Sequence, residues 1–451
     1  MEIQNTKKKY TIISAVYNVE KYLDKYFKSI VNQSLNFEEN INIILVDDGS
    51  TDNSATVIKK WRYMYPDNIL YIKKQNGGQS SARNLGLESL CTPWVTFVDP
   101  DDFLDVYYFE EVDKFIEDSK SVELSMVSTN FYFYFDKYGI YLDMHPLKYR
   151  FKDNKNIFSA KDLKANIQLS TNSAFFRSDL IFSTNLKFDE RVKPSFEDAN
   201  FVNRYLIENY KSSVSFLKSA KYNYRKRSSG NSTLDGAWIK KELYDDVLYY
   251  GCLELFKVAN KNLGYIPKYI QRTVLYHLSW YYKYLIDNSY KLSFLSQKEL
   301  DRFEALVLEI FTYIDVDIIE SFELVVDNFV KLAWLYRYKK IIPTDRAVEV
   351  YRDKNTYRFT FFSFKKEVVS VKIDDEYVNI PIIDEQKHIF LNKEFINSYS
   401  FEIPLVKNSN SIAIEFSNGF IYRNSVKSIK SKTMINLKIK LKNVARKLLL
   451  G

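Results

Sequence analysis

Short apolar segments alternate with amphipathic ones between residues 10 and 120, and this alternation restricts the possible folds more than any other feature of the chain. The short apolar segments predict strands, and the segments between them have the 3.6-residue period of helices. Such alternation predicts an α/β fold with a mostly parallel sheet, helices on both faces and right-handed crossovers. The predicted strands are Tyr10–Val16, Ile41–Asp47, Ile69–Ile72 and Trp94–Val98, and the predicted helices are Val19–Asn32, Ser54–Tyr65, Ser80–Ser89 and Val106–Ser119.

Two of these strands run into acidic residues. The second leads into Asp48 and the sequence GSTDNS, and the fourth leads into Asp99, Asp101 and Asp102. Both acidic groups are expected at the carboxyl edge of the sheet, where α/β proteins bind ligands. Carboxylates this close repel one another unless a cation, or a cation with a phosphate, lies among them. One such group alone is also consistent with a solvated turn that caps a helix, but two in one α/β unit predict a site for a metal-bound nucleotide.

Composition narrows the class of protein and of metal site. The 451 residues, 46% of them hydrophobic, suffice for two or three globular domains. The mean hydropathy of −0.31, with no apolar run of membrane-span length and no signal-peptide pattern, predicts a soluble chain. Cys91 and Cys252 offer no disulfide framework, which favours a reducing cytoplasm. Because His145, His277 and His388 lack ligand spacing, we expect oxygen ligands for any metal.

The net charge of +8 is concentrated at the C-terminal end. Residues 421–451 contain nine basic residues and no acidic one, which leaves 56 basic and 57 acidic residues elsewhere. A nucleic-acid-binding face on the rest of the chain is therefore disfavoured. The sequence of Thr433–Leu450 predicts a basic amphipathic helix. Its positive charge and apolar stripe favour an anchor on an anionic membrane surface. A coiled coil or packing helix for homo-oligomerisation would have the same spacing of apolar residues and is the alternative. Its apolar stripe is Met434, Leu437, Leu441, Val444 and Leu448.

The periodicity changes twice beyond residue 120. An irregular region contains a predicted helix at Phe196–Leu206, and long helical patterns such as Tyr265–Asp287 follow it. After about residue 350 the apolar segments are short and alternating, which is typical of a small β-sandwich. The predicted regions are an α/β domain at 1–235, a helical subdomain at 236–343, an Ig-like β-sandwich at 350–428 and the basic amphipathic helix at 432–451.

Four sequence blocks of the first region together resemble the family 2 glycosyltransferases with the GT-A fold. They are SAVYNVEKYL at 14–23, VDDGSTDNS at 46–54, NGGQSSARNLGL at 76–87 and FVDPDD at 97–102. The resemblance implies that Ala15, Tyr17 and Asn18 line the nucleotide base and that Asp48 binds uracil. A carboxylate can accept the imide N–H of uracil, and Gly49 allows close backbone approach. Ala15 replaces a proline that is frequent in the family, which is a minor departure.

The third block, at 76–87, predicts a glycine-rich loop that leads into a helix. Gly77 and Gly78 permit unusual backbone dihedrals, and the N-terminus of the following helix favours anions. The resemblance implies that Asn76 and Arg83 belong to the nucleotide-sugar site, with Arg83 close to the aspartates of the fourth block. An ordinary loop-to-helix cap is the alternative interpretation.

The fourth block supplies the family's DXD pair, which maps to Asp99 and Asp101. The resemblance implies that Asp101 ligates a divalent metal bridging the diphosphate and that Asp99 contacts the ribose or the metal. Mn²⁺ or Mg²⁺ suits carboxylate and phosphate oxygens, and such an ion neutralises the departing UDP.

An inverting transfer also needs a base that takes the proton of the acceptor hydroxyl. The family places this base in an ED motif, which matches Glu197 and Asp198, the latter 97 residues after Asp101. The resemblance implies that Asp198 is the base and that Glu197 shapes or binds the acceptor. Two acids that interact with the macrodipole of a helix N-terminus are the alternative.

The segment YNYRKRSSGNSTLD at 222–235 stands where many family members clamp the diphosphate. Arg225 and Arg227, two positions apart, would face one side of an extended segment towards phosphates, whereas a solvated basic loop is the alternative. The family's QxxRW motif is missing, which argues against a processive, membrane-embedded synthase. The sequence YRKR followed by serines in this segment resembles the corresponding segment of bacterial enzymes that build or glycosylate teichoic acids and capsules.

The resemblance therefore implies an inverting, metal-dependent transferase that moves a sugar from a UDP-sugar to a surface glycan, such as a teichoic acid or capsule precursor, or to a lipid-linked acceptor. We expect it in the cytoplasm, peripheral at the inner face of the cell membrane. Transfer to a glycoprotein or glycolipid is one alternative. An inactive glycan-binding protein is disfavoured because Asp48, Asp99, Asp101 and Asp198 are all in place. A nucleotidyltransferase is disfavoured because SAVYN offers no glycine-rich phosphate loop.

Overall fold

A computed structural model describes residues 7–152, 157–227, 236–343, 347–352, 356–366, 369–374, 376–404, 411–417 and 421–425. The chain divides into two compact units, Met1–Val274 and Leu275–Gly451. The predicted basic helix at 432–451 lies outside the described residues, so its association with a membrane or with a second copy stays a prediction. The predicted boundaries of the four sequence regions also stay predictions.

A mixed sheet of ten strands forms the centre of the first unit. Its strands are β1 Tyr10–Val16, β2 Ile41–Asp47, β3 Ile69–Lys73, β4 Trp94–Phe97, β5 Phe103–Leu104, β6 Leu124–Phe135, β7 Ile140–Leu142, β8 Ile157–Ser159, β9 Ala174–Arg177 and β10 Ser213–Lys226. Their order is β3-β2-β1-β4-β9-β6-β10-β5, with β7 beside β6 and β8 beside β10. Strands β3, β2, β1 and β4 are mutually parallel, whereas β9 is antiparallel to both of its neighbours, β4 and β6.

The helices of the first unit connect and cover these strands. They are α1 Glu20–Val31, α2 Phe37–Asn40, α3 Ser54–Met64, α4 Gln79–Leu87, α5 Tyr108–Asp118, α6 Ser178–Thr184, α7 Glu197–Glu208 and α8 Glu254–Leu263, followed by α9 Lys268–Leu285. Every residue of β2 is buried, as expected for a parallel strand covered on both faces. A Cβ on Gly86 of α4 would lie 2.5 Å from Cγ2 of Ile13, so the missing side chain allows α4 to pack closely against β1.

The parallel half of the sheet confirms the predicted α/β alternation. All four predicted strands and the four helices between and after them are present, with ends within two residues of the prediction. Strands β2 and β3 lie on one side of β1 and β4 lies on the other, so the strand order reverses between β1 and β4. The carboxyl ends at such a reversal form the ligand crevice of an open α/β sheet. The residues after Val16 and after Phe97 therefore belong to one site.

The second unit consists of helices followed by two antiparallel sheets. After α9 come α10 Gln297–Thr312, α11 Val316–Glu320 and α12 Asn328–Lys339. One sheet has the order β11-β12-β16-β15, from Val348–Arg352, Thr356–Ser363, Lys393–Pro404 and Asp384–Phe390. The other has the order β14-β13-β17-β18, from Glu376–Val378, Val369–Ile373, Ser411–Phe416 and Ile421–Ser425.

The two sheets share a hydrophobic core, which confirms the predicted β-rich region after residue 350. Phe359, Phe361 and Phe401 of one sheet belong to the same buried cluster as Ile412 and Ile414 of the other. The alternating burial along Thr356–Ser363 reflects one face on the core and one face outward. Among the helices of the described residues, none is both long enough and apolar enough to cross a membrane.

Candidate active site

The turn after β4 gathers three carboxylates. The backbone N–H of Asp102 donates to the carbonyl of Asp99 over 2.9 Å, which closes the turn around Pro100. Carboxylate oxygens of Asp99, Asp101 and Asp102 lie within 4.8 Å of one another. Three negative charges at this separation need compensation, and each of the three groups obtains it differently.

Asp102 is a buried structural group. Its Oδ2 accepts a hydrogen bond from the hydroxyl of Tyr222 at 2.7 Å, and its Oδ1 accepts one from the backbone N–H of Arg225 at 2.7 Å. Burial raises the pKa of Asp102 well above its usual range, and the charges of Asp101 and Asp99 add to the increase. Asp102 therefore ties the turn to β10, and its oxygens already have partners.

Asp101 is compensated by arginines from the end of β10. Its Oδ2 accepts from Nε of Arg227 at 2.9 Å and from Nη2 at 2.5 Å, and its carbonyl accepts from Nε of Arg225 at 2.6 Å. Burial raises the pKa of Asp101, Arg227 opposes this shift and Asp99 adds to it. The ion pair with Arg227 favours the ionised form of this carboxylate.

The two arginines of this segment have different surroundings. Arg225 is 6% exposed, pairs with Asp136 and lies over the rings of Tyr22 and Phe103, at 5.1 and 5.4 Å from their centroids. The side chain of Arg227 keeps 23% of its surface exposed. Both arginines contact Asp101 from one extended segment, and Arg227 is the more accessible of the two to a ligand.

Asp99 accepts hydrogen bonds from three side chains. Its Oδ1 accepts from Nε2 of Gln79 at 3.0 Å and from Nη2 of Arg83 at 3.1 Å, and its Oδ2 accepts from Nδ2 of Asn172 at 2.5 Å. Asn172 also accepts from Nη2 of Arg83 at 3.1 Å. Asn172 therefore bridges the carboxylate and the guanidinium, and it fixes their relative position.

Arg83 joins the two acidic motifs of the sequence. It is 1% exposed and pairs with Asp99 through Nη2 and with Asp198 through Nη1. Its guanidinium lies over the rings of Phe97 and Phe188, at 5.7 and 5.3 Å from their centroids. Burial opposes the charge of Arg83, but Asp198 and Asp99 outweigh burial and hold its pKa above the ordinary value.

Glu197 and Asp198 form the first turn of α7. Burial raises the pKa of Asp198, Arg83 opposes the shift and Asp99 adds to it. Burial and the charge of Asp198 raise the pKa of Glu197 to about 8. Among the described residues, no other residue donates a hydrogen bond to the Glu197 carboxyl. Burial thus raises the pKa of both carboxyls, while the ion pair with Arg83 favours the ionised form of Asp198.

The residues after β1 form the neighbouring part of the crevice. Asn18 adopts a left-handed backbone with φ of 51°, and its Oδ1 accepts from the backbone N–H of Thr51 at 2.8 Å and of Asp52 at 3.3 Å. Asn18 therefore holds the loop that follows β2. The side chain of Tyr17 is 52% exposed, and Ala15 is half-buried.

Asp48 connects the loop after β2 with the glycine-rich loop before α4. Its Oδ1 accepts from Nζ of Lys74 at 2.8 Å and from the N–H of Gly77 at 2.9 Å, and its Oδ2 accepts from the N–H of Gly78 at 2.7 Å. A carboxylate accepts about four hydrogen bonds, so Asp48 has capacity for one further donor. Beside it, Gly49 has φ of +82°, and a Cβ there would lie 3.1 Å from the N of the exposed Asn76.

The structure thus places the predicted site residues in two groups, one at the end of β1 and in the loops after β1, β2 and β3, and one around the turn after β4, to which α4, α7 and the end of β10 contribute. One group is Ala15, Tyr17, Asn18, Asp48 and Asn76, and the other is Arg83, Asp99, Asp101, Glu197, Asp198, Arg225 and Arg227. Sequence reasoning did not identify Gln79, Asn172 or Tyr222. The only signal for Asn172 is the polar run at 170–173 immediately before the apolar β9.

The chain is similar in sequence to a known protein family and to named bacterial proteins. Residues 11–182 match the family described as Glycosyl transferase family 2. The chain is 31% identical over 315 residues to Minor teichoic acid biosynthesis protein GgaA of Bacillus subtilis (strain 168), which covers 69% of this chain and 68% of GgaA. It is 32% identical over 378 residues to Minor teichoic acid biosynthesis protein GgaB of the same organism, which covers 84% of this chain but 40% of GgaB. The chain therefore spans well under half the length of GgaB.

A solved structure has the same fold. The S. aureus TarS 1-349 structure in complex with UDP-GlcNAc superimposes with a TM-score of 0.54 at 17% identity, covering 74% of this chain and 88% of that chain. At this identity the likeness concerns the fold alone, and it confirms the predicted GT-A class.

Proposed function

This chain belongs to glycosyl transferase family 2, and on that premise we propose that it transfers a sugar from a UDP-sugar to a hydroxyl group of a teichoic acid or related surface glycan. The names of GgaA and GgaB support the acceptor class, and the UDP-GlcNAc complex of TarS supports the donor class. The observation that carries the proposal is the pairing of Arg83 with both Asp99 and Asp198. It joins the donor motif and the predicted base in one charge network.

The donor nucleotide fits the group of residues after β1 and β2. The exposed ring of Tyr17 offers a stacking face to a base, with Ala15 and Asn18 beside it. The remaining capacity of Asp48 matches the single imide N–H of uracil. Asn76 and Arg83 then lie on the side of the sugar diphosphate.

A divalent metal fits the oxygen donors of the turn after β4. Asp99 and Asp101 would hold Mn²⁺ or Mg²⁺, because their oxygens are hard ligands and converge within 4.8 Å. Asp102 is less suited to this role, since it is 1% exposed whereas Asp99 and Asp101 are half-buried. The bound ion would act as a Lewis acid that neutralises the diphosphate leaving group. Arg227 beside Asp101 supplies positive charge to the same place.

Asp198 takes the proton of the acceptor hydroxyl. The hydroxyl oxygen then bonds to the anomeric carbon while the bond from that carbon to the phosphate oxygen breaks, and UDP leaves with the electron pair. With the acceptor and the base on the side opposite the leaving group, the configuration at the anomeric carbon inverts. Burial raises the pKa of Asp198 and so makes it a stronger base, while Arg83 keeps it ionised before the reaction. Glu197, protonated at neutral pH, donates a hydrogen bond to the acceptor.

Thermal unfolding with a set of donors tests the donor site. The full chain is heated with UDP, UDP-glucose, UDP-galactose, UDP-GlcNAc or UDP-GalNAc, each with and without Mn²⁺. A ligand that binds only the native state stabilises it by RT ln(1 + [L]/Kd), so moderate affinity gives a measurable shift in Tm. We expect the largest shift for one UDP-sugar with Mn²⁺ and a smaller one in Asp101→Ala. The absence of a shift with every UDP compound would contradict the proposal.

A further inference from the structure

The second unit contains a groove that the proposed chemistry does not use. Its volume of about 630 Å³ is within the range of sites for small ligands. Its walls are α10, α12 with the residues after it, and the hairpin of β15 and β16. The side chains that matter for its chemistry are Glu304, Tyr336, Arg337, Lys340, Phe364 and Glu394.

Both carboxylates of the groove are neutralised by lysines. Glu304 pairs with Lys393 at 2.6 Å, and Glu394 pairs with Lys387 at 2.9 Å. These acids are consequently no strong barrier to an anionic ligand.

The cations of the groove have no such partners. Arg337 donates through Nη1 to the backbone carbonyl of Glu394 at 2.8 Å, and Nζ of Lys340 donates to the carbonyl of Arg337 at 3.0 Å. In the part of the chain that the structure describes, no carboxylate lies within 4.0 Å of either cation. A carbonyl leaves the remaining N–H groups of a guanidinium available, and these match the geometry of a phosphate.

An aromatic platform lies beside these cations. The rings of Tyr336 and Phe364 stack with centroids 3.9 Å apart and planes inclined by 19°, and Tyr336 is 38% exposed. An exposed aromatic face held by a second ring is a rigid surface for the apolar face of a sugar ring. Arg337, Tyr336 and Phe364 line the same groove, so cation and platform are available to one ligand.

We propose that this groove is a second binding site for a phosphodiester-linked glycan, in which Arg337 and Lys340 bind a phosphate and Tyr336 packs against a neighbouring sugar or polyol unit. The choice of ligand rests on the proposed function, because teichoic acids are chains of this kind. A second attachment point raises the effective concentration of acceptor ends around the enzyme. The site is expected to favour long acceptors over short ones.

Binding of a fluorescently labelled ribitol phosphate octamer to the full chain tests the proposal by anisotropy. Arg337→Gln removes the charge and leaves a shorter polar side chain, and we expect it to weaken binding about tenfold. Tyr336→Ala should weaken binding about threefold or more through the lost platform. Lys298→Gln, at an exposed lysine of α10 outside the groove, is the matched control and should bind as the wild type. The Tm of each variant verifies that it is folded.

Further ligands and variants show whether binding depends on the phosphate groups and on this groove. A labelled neutral maltooctaose should bind weakly, and inorganic phosphate should compete only at much higher concentration than the octamer. Equal binding by Arg337→Gln and the wild type, equal weakening in Lys298→Gln, or no binding of the octamer to the wild type would overturn the proposal. Transfer to a single-repeat acceptor should be unchanged in Arg337→Gln, so failure of the groove and failure of the proposed transferase activity give different results.

Discussion

The two halves of the large sheet contribute differently to the candidate site. The parallel half, β3-β2-β1-β4, presents acidic residues at its strand ends: Asp48 after β2, and Asp99 and Asp101 after β4. The mixed half supplies further groups around the turn after β4: Asn172 before β9 donates to Asp99, Tyr222 within β10 donates to Asp102, and Arg227 after β10 pairs with Asp101. The difference shows that the parallel half holds Asp48 with its own donors, whereas the acids after β4 also depend on hydrogen bonds and a guanidinium group from the mixed half.

The largest effect is expected from Asp198→Asn, in helix α7 between β9 and β10 of the mixed half. The amide keeps the shape of the side chain but cannot accept the proton of the acceptor hydroxyl, so transfer should fall by roughly 10²- to 10⁴-fold. Release of UDP in the presence of acceptor measures the loss. The Tm shift caused by UDP should stay that of the wild type, and retained turnover would contradict the assignment of the base.

A comparison of Asn172→Ala with Gln79→Ala sharpens the contrast between the halves. Both residues donate to Asp99, but only Asn172 also holds Arg83. Because Asn172 fixes a charge pair in position, we expect its loss to lower transfer by about 10- to 100-fold, mainly in kcat.

Gln79 comes from the parallel half and is half-buried, so Gln79→Ala should have the smaller effect. Steady-state kinetics with the preferred donor measures both variants. If Gln79→Ala is as damaging as Asn172→Ala, the bridge between Asp99 and Arg83 has no special role.

Tyr222→Phe tests the structural role of Asp102. The variant leaves a buried carboxyl without one of its two donors, which should destabilise the fold by about 1–3 kcal/mol. Urea unfolding of the full chain measures the change. Tyr224→Phe in the same strand is the matched control, because no described residue forms a hydrogen bond with the Tyr224 hydroxyl. This control should stay within about 0.5 kcal/mol of the wild type, and equal losses in the two variants would argue against the anchoring role.

The last prediction concerns the pH dependence of stability. In the native state the pKa of Glu197 is raised to about 8, against an ordinary glutamate pKa of about 4.3. Between these values the native state holds a proton that the unfolded chain has lost, so this residue makes stability fall as pH rises through that window. The Tm of Glu197→Gln should therefore fall less than that of the wild type between pH 5 and pH 8. Parallel curves for the two proteins would contradict the raised pKa.

The sequence could predict the parallel half because its signals are regular. Strand β1 and strand β2 are bounded by turn residues, and the helices between them have a clear apolar period. Strand β6 lacks this regularity, since its first eight residues are buried on both faces and do not alternate. Strand β10 shifts register between Leu217 and Lys221, which interrupts its pattern.

The residues of the candidate site, like the strands, were predictable only where a local sequence pattern marks them. The acids were identifiable because two acidic groups follow strands of one α/β unit, and the four ordered blocks placed Arg83 among them. The contact of Arg83 with Asp198 joins residues 115 positions apart, and no local pattern reports it. Asn172 and Tyr222 are ordinary residue types whose roles arise only from the strand order of the mixed half.

The mass of an acceptor glycan after incubation with the full chain tests the central claim most directly. A ribitol phosphate octamer and a purified teichoic acid are each incubated with Mn²⁺ and the UDP-sugar that gives the largest Tm shift. We predict a gain of one or more sugar residues on at least one acceptor, with stoichiometric release of UDP and no gain with Asp198→Asn. An unchanged mass of both acceptors, or an equal gain with Asp198→Asn, would contradict this account.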